Sequence, residues 1–502
     1  MADYKLFIDG LFVEAEDGAT FETLSPATGE PIATVAQAGK ADAEKAIAAA
    51  RTAFDDGRWS GLSPAKRAAF LGAIADGIKE RGKELAALET KDSGGTIRKT
   101  KSEMAGAAYT FKVGAELATT VPLQETLPVT VAPGPSLNYI KREPLGVCAA
   151  IIPWNFPMLM AAWKIAPALA AGNTVVVKPS ENSPLTALAL AEIVKRAGVP
   201  DGVVNVIPGF GPSAGEPLCA SPSVDKVAFT GSTAVGKRIM QLASSNVKKV
   251  TLELGGKSAS IILDDADLDL AVDGALYAIY FNSGQSCEAG SRLLVHQSLH
   301  DEVVSRMVER SRDMVVGDPA DPATDLGPLV SKTQLDTVER YVKTGLDEGA
   351  KLACGGERVT VKGFEGGYFY APTIFTGVAN SMRIAQEEIF GPVLAVIPFS
   401  DDDQAVAIAN DSIYGLGGGV WSRDPARAMS IADRIRTGTV WINDYHLINN
   451  RYPFGGYKQS GVGREHGVQG YLEYLETKHV HVDLTRDRDK HRWFDVVVPR
   501  RK

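Results

Sequence analysis

Residues 147–254 read VCAAIIPWNFPMLMAAWKIAPALAAGNTVVVKPSENSPLTALALAEIVKRAGVPDGVVNVIPGFGPSAGEPLCASPSVDKVAFTGSTAVGKRIMQLASSNVKKVTLEL. Short apolar runs (VCAAII, TVVVK, VVNVI, KVAFTG, KVTLEL) alternate with helical patterns over 158–171, 185–197, 213–220 and 234–243. Continuous apolar strands divided by helices mean a parallel sheet covered on both faces. A second series follows Gly256: SASIIL, a helix over 268–281, RLLVH, and a long helix from Leu299. After a loop-rich section come VLAVIPF, a helix from Gln404, and GTVWIN. Two α/β domains therefore meet near Gly255-Gly256. Upstream, YKLFIDGLFVEAEDG alternates around Asp9-Gly10 as a hairpin, and helices are expected over 41–54 and from Pro64. The proline-rich stretch 120–140 reads as an excursion from the first domain. The tail HVHVDL is able to pair with it as a strand.

Composition narrows the classes of function. The chain has 502 residues and a net charge of −8, with no basic block before its last seventeen residues, which argues against a nucleic-acid binder. Cys148, Cys219, Cys287 and Cys354 are scattered, with no CxxC pair and no histidine at ligand spacing. That argues against zinc and disulfides and favours a reducing compartment. The N-terminus lacks a secretory apolar stretch, and the apolar run from Gly146 to Gly172 is broken by Pro153, Asn155, Pro157, Lys164 and Pro167. A soluble, cytoplasmic protein without membrane attachment is expected.

Several residues carry chemistry. Gly231-Ser-Thr-Ala-Val-Gly236-Lys237 follows a strand and opens a helix, but Arg238 stands where a triphosphate-binding loop needs Ser or Thr. What remains is a strand-turn-helix suited to a phosphate or pyrophosphate, or else a plain connection. Cys287 sits in the polar, glycine-flanked segment NSGQSCEAG, the setting of a reactive rather than a core thiol. Glu253 ends a parallel strand, where open α/β sheets place ligands; in isolation it also reads as a solvated strand-end charge. Asn155 in PWNFP is an oxyanion donor or an ordinary turn residue.

PWNFP, KPSE, GSTAVG, LELGGK, GQSCEAGSR, EEIFGP and PFGGYKQSG occur in an order and spacing that resembles the aldehyde dehydrogenase superfamily along essentially the whole chain. The resemblance implies a Rossmann-like NAD-binding domain (1–122 and 146–255), a catalytic domain (256–458), and a small β oligomerisation segment (123–145 and 459–502). It implies Cys287 as nucleophile, Glu253 as general base and Asn155 as oxyanion donor. In the cofactor site it implies Trp154, Lys178, Glu181, Gly231, Ser232, Leu254, Glu388 and Phe390. Along the aldehyde channel it implies Phe156, Met160, Trp163, Phe281, Ile448 and Phe454, with Tyr280 read as channel or core. The acid at Glu181 favours NAD over NADP, no metal is required, and a homodimer or homotetramer is expected because the tail strand would otherwise be an unpaired edge. A CoA-acylating enzyme is disfavoured by Glu253, and a non-catalytic relative by Cys287. Trp163 stands where relatives that oxidise succinate semialdehyde carry an arginine, so neutral aliphatic or aromatic aldehydes are the expected substrates.

Overall fold

A computed structural model describes residues 2–131 and 134–500. Residues 132–133 of the excursion and the last two of the basic tail lie outside it. The described residues form two large sheets and two small ones. In the first large sheet, the five parallel strands run in the spatial order Lys249–Glu253, Lys226–Thr230, Val147–Ile151, Thr174–Lys178, Val204–Val206. The hairpin Leu6–Ile8 and Leu11–Val13 extends one side, antiparallel. Side chains alternate between two cores: Cys148 and Ala150 pack with the helix Pro157–Ala171 on one face, and Val147, Ala149 and Ile151 pack on the other. That is the doubly covered sheet the apolar strands require.

Strand order reverses between Val147–Ile151 and Lys226–Thr230. Chain growth runs one way from the first of these strands and returns on its other side. The carboxyl ends at such a reversal leave a crevice between diverging connections. Into it lead Pro153-Trp154-Asn155 from one strand, Gly231-Ser232 from the next, and Glu253 from the third.

The second large sheet holds seven strands, parallel except for Lys351–Cys354 at one edge. Its strand Gly417–Trp421 was not legible in the sequence, because three of its five residues are glycines. These glycines make room: a Cβ on Gly419 would lie 2.8 Å from the Tyr445 ring.

The excursion strands Gln124–Thr130 and Ser136–Pro144 pair with Leu475–Asp483 in a separate three-stranded sheet. Gly461–Val462 instead pairs with the end of Lys249–Glu253. Assigning all of 459–502 to the bridging segment is therefore too broad at its start. The reason is local: Leu254 N–H donates to the Ser460 carbonyl, and the Ser460 hydroxyl donates to the Gly255 carbonyl, so this stretch buttresses the strand that carries Glu253. Among the described residues, no helix is long and apolar enough to cross a membrane.

Candidate active site

The crevice is a cavity of about 630 Å³ between the two large sheets. The first domain contributes Trp154, Asn155, Phe156, Gly231, Ser232, Glu253 and Leu254; the second contributes Cys287, Glu288, Glu388, Phe390 and His446.

The loop that presents Cys287 is held by backbone geometry. Asn282, Ser283 and Gly284 are successive left-handed residues, at φ 52°, 55° and 75°. At Gly284 a side chain is excluded, since a Cβ would sit 2.1 Å from the Gly391 carbonyl oxygen. Gln285 then ties the loop down: its Oε1 accepts from Val330 N–H at 2.9 Å, and its carbonyl accepts from the Asn155 side-chain amide at 2.9 Å. Asn155 is fixed in turn by Lys99, whose ammonium donates to the Asn155 carbonyl at 2.6 Å and lies 4.4 Å above the Phe156 ring. Gly256 passes directly under Cys287, where a Cβ would lie 2.2 Å from the Cys287 carbonyl oxygen.

Glu253 is buried, and neither of its carboxylate oxygens makes a hydrogen bond. Burial first, and then the nearby Glu465, push its carboxyl well above the usual range; Lys164 and Arg464 oppose this. Behind it, Lys164 and Glu465 form a buried ion pair. Gly455 is part of the same construction, because a Cβ there would stand 2.6 Å from Glu253 Oε1.

The expected cofactor residues divide into two groups. Trp154, Gly231, Ser232, Leu254, Glu388 and Phe390 line the cavity. Ser232 caps the helix Thr233–Ala243, its hydroxyl accepting from Val235 N–H, so the N-terminus of that helix starts at the cavity wall. The Thr230 hydroxyl in the same wall is buried without a partner. Glu388 accepts from Gly256 N–H at 3.0 Å, and burial raises its carboxyl to about 7. Phe390 holds an unusual φ of 59° and meets Trp154 edge-on at 5.3 Å. Lys178 and Glu181 are not in the cavity wall. They lie at the end of the neighbouring strand, where Lys178 donates to the Pro179 and Gly209 carbonyls and stands 3.8 Å from Glu181. Burial lowers Lys178 to about 8, against the pull of Glu181.

All six expected channel residues line the cavity: Phe156, Met160, Trp163, Phe281, Ile448 and Phe454. Phe156 packs on Phe281 at 5.7 Å, and Trp163 on Phe454 at 5.6 Å. Tyr280 does not reach it. It is buried in the core of the second domain, and Tyr277, about one helical turn earlier, lines the cavity instead. Lys99, Glu103, Asp444 and His446 were missed. Lys99 and Glu103 sit one turn apart on the helix Ile97–Thr120, both buried and 2.8 Å apart. His446, a lone histidine between strand and turn, gave no signal.

The chain is similar to known proteins along nearly its whole length. The model of the aldehyde dehydrogenase family matches residues 12–480. A betaine aldehyde dehydrogenase of Bacillus subtilis is 48% identical over 95% of this chain and 96% of its own, and human retinal dehydrogenase 2 is 45% identical over 96% and 92%. Among solved structures, the NAD+ complex of an aldehyde dehydrogenase from Bacillus cereus superimposes with a TM-score of 0.93 at 45% identity, covering 96% of this chain and 97% of that one. This chain belongs to the aldehyde dehydrogenase family.

Proposed function

We propose that this protein oxidises an aldehyde to the carboxylic acid with NAD, through a covalent intermediate on Cys287. The observation that carries the reading is the convergence of Cys287, Asn155 and Glu253 on one cavity that also opens on the first turn of a helix. The Cys287 thiol loses its proton to water, its sulfur attacks the aldehyde carbon, and the carbonyl oxygen becomes an oxyanion. One hydrogen of the Asn155 amide is committed to Gln285; the other, with the Cys287 backbone N–H, holds that oxyanion. NAD, when bound, supplies the hydride acceptor that turns the thiohemiacetal into a thioester. Glu253 then takes a proton from water as the water attacks the thioester, which frees the acid and the thiol.

The residues present fit NAD. The helix turn after Gly231-Ser232 suits the pyrophosphate, and the unpartnered Thr230 hydroxyl stands beside it. Glu388 would receive the nicotinamide ribose, and Trp154, Leu254 and Phe390 would flank the ring. Lys178 and Glu181 would take the adenosine ribose, where the negative charge of Glu181 disfavours a 2′-phosphate. Solved relatives carry NAD+, among them a betaine aldehyde dehydrogenase of Staphylococcus aureus, 42% identical with a TM-score of 0.94 over 96% of this chain and 95% of that one. Lower kcat/KM with NADP than with NAD is the expected result.

The substrate reading is neutral aliphatic or aromatic aldehydes. Among the described residues, Lys99 is the only lysine or arginine in the wall, and it is engaged by Asn155 and Glu103. Arg292 is buried against the carbonyls of Lys257, Ile408 and Ala409, and Arg451 pairs with Glu116 at the surface. Against them stand Glu103, Glu253, Glu288, Glu388 and Asp444. Burying a carboxylate among these groups costs several kcal/mol, whereas each buried CH₂ gains about 0.8 kcal/mol. Hexanal and benzaldehyde are therefore expected to exceed succinate semialdehyde in kcat/KM by at least about tenfold, or about 1.4 kcal/mol. NADH absorbance in one side-by-side assay decides it, and a winning semialdehyde would overturn the reading. The surplus of acids and the aromatic walls also favour a second reading, a cationic aldehyde such as betaine aldehyde, which belongs in the same assay.

The protein works as a homodimer or homotetramer in the cytoplasm. Leu475–Asp483 is the outer strand of its sheet and presents an unpaired edge. Light scattering is expected to give a mass of two or four chains. A monomer at every concentration would contradict the assembly.

A further inference from the structure

Glu288, the acid that follows the nucleophile, accepts hydrogen bonds from two opposite sides. Cys287 Sγ–H donates to Glu288 Oε2 at 3.1 Å. His446 Nδ1 lies 2.9 Å from Glu288 Oε1, and its Nε2 lies 3.0 Å from the Ala278 carbonyl oxygen. A carbonyl only accepts, so Nε2 carries a hydrogen, and one further proton is shared between Nδ1 and Oε1. Burial disfavours a charged Glu288, but the hydrogen bond and charge of His446 outweigh it and hold the carboxyl down at about 2. Glu288 is thus tied through Oε1 to His446, which leaves Oε2 to face the thiol. Tyr445 locks the arrangement by donating its hydroxyl to the Glu288 carbonyl at 3.0 Å.

The surroundings decide what this does to the thiol. Facing Cys287 and Glu288 are Glu253 from the strand end, Glu388 from its loop, Tyr277 from the helix Leu268–Tyr280, and Asp444, Tyr445 and His446 from one turn. Among the described residues of that group none is a lysine or arginine, and Glu288 bonds His446 through one oxygen and the sulfur through the other. Burial, and then Glu288, push the Cys287 thiol well above the usual range, with Glu388 and Glu253 adding to the effect. A thiolate here would stand about 3 Å from a carboxylate, and like charges at that distance disfavour ionisation. Nor is Glu288 the base: a carboxylate held low by its bond to His446 is far less basic than this thiolate.

We propose that Glu288, fixed by His446, holds Cys287 as the protonated thiol in the resting enzyme and so slows its attack on adventitious electrophiles. In any reaction of the sulfur the S–H bond breaks, its proton leaves to water, and the electron pair stays on sulfur. The inference rests on Cys287 being the nucleophile, but its test reads the ionisation of that sulfur directly.

The experiment is carbamidomethylation of Cys287 in the full-length, NAD-free protein across pH, followed by peptide mass spectrometry. Thiolate displaces iodide from iodoacetamide, so the rate reports the thiolate fraction. In the parent the midpoint is expected above the ordinary thiol value of about 8.5, and a midpoint below it overturns the proposal. Glu288→Gln and Glu288→Ser are each expected to raise the rate at about pH 7.5 by at least about tenfold and to lower the midpoint by about one unit or more. An unchanged or slower rate in folded variants overturns it. Glu253→Gln is the comparison: a shift as large as that of Glu288→Gln would assign the control to Glu253 instead. Should either Glu288 variant fail to melt cooperatively, the parent titration and the other variant still decide. Dehydrogenase activity surviving in Cys287→Ala would remove the nucleophile while leaving these titrations interpretable.

Discussion

Cys287→Ala is expected to lower kcat for aldehyde oxidation by more than about 10⁴-fold while changing NAD affinity by less than about twofold. No other cysteine can take its place. Cys148 and Cys219 are buried, with thiols pushed up to about 12 by that burial, and neither they nor Cys354 line the cavity. The proposed NAD contacts come from other residues: the turn at Gly231-Ser232, Glu388, and the Trp154–Phe390 pair. Alanine removes the sulfur without disturbing the left-handed loop at 282–284 or the Gln285 anchors. Steady-state NADH production and a separate titration of NAD binding by fluorescence check the two halves independently. Turnover above a trace in this variant would remove Cys287 from the mechanism.

Glu253→Gln is expected to separate the two chemical steps. A rapid burst of NADH, close to one per active site, should persist, while the steady state falls by at least about 100-fold. Gln keeps the size of the side chain in a site already crowded by Gly455, but it cannot take a proton from water. The burial that raises the Glu253 carboxyl also fixes the sign of the pH effect in the parent. The proton-accepting form grows as pH rises, so hydrolysis of the thioester should accelerate into the alkaline range and slow below neutrality. Rapid-quench measurement of burst and steady state across pH checks both statements. Equal loss of the two phases would mean that Glu253 acts on the thiol or on the structure of the site rather than on water.

Much of this was legible in the sequence for a physical reason. Parallel strands buried on both faces are largely apolar, so VCAAI, KVAFT and KVTLE announced themselves, and their carboxyl ends located Asn155, Gly231 and Glu253. The strand Gly417–Trp421 stayed hidden, because its glycines serve the rings of Trp441 and Tyr445 rather than any strand preference. The helix Lys332–Asp347 lay within what read as a loop-rich section, although Leu335, Val338 and Val342 mark its buried face. Tyr280 and Tyr277 show the limit of reading by position, since which aromatic on a helix faces a cavity depends on the packing of the helix. His446 depends on tertiary structure altogether: it meets Glu288 across 158 residues of chain.

The most direct test of covalent catalysis at Cys287 is to trap the intermediate. Glu253→Gln enzyme mixed with NAD and hexanal, quenched in acid within the burst and digested at low pH, should yield the peptide that contains Cys287 carrying one hexanoyl group as a thioester. The adduct should be absent without NAD and lost on treatment with hydroxylamine. A burst of NADH with Cys287 unmodified, or with the acyl group on another residue, would contradict the account.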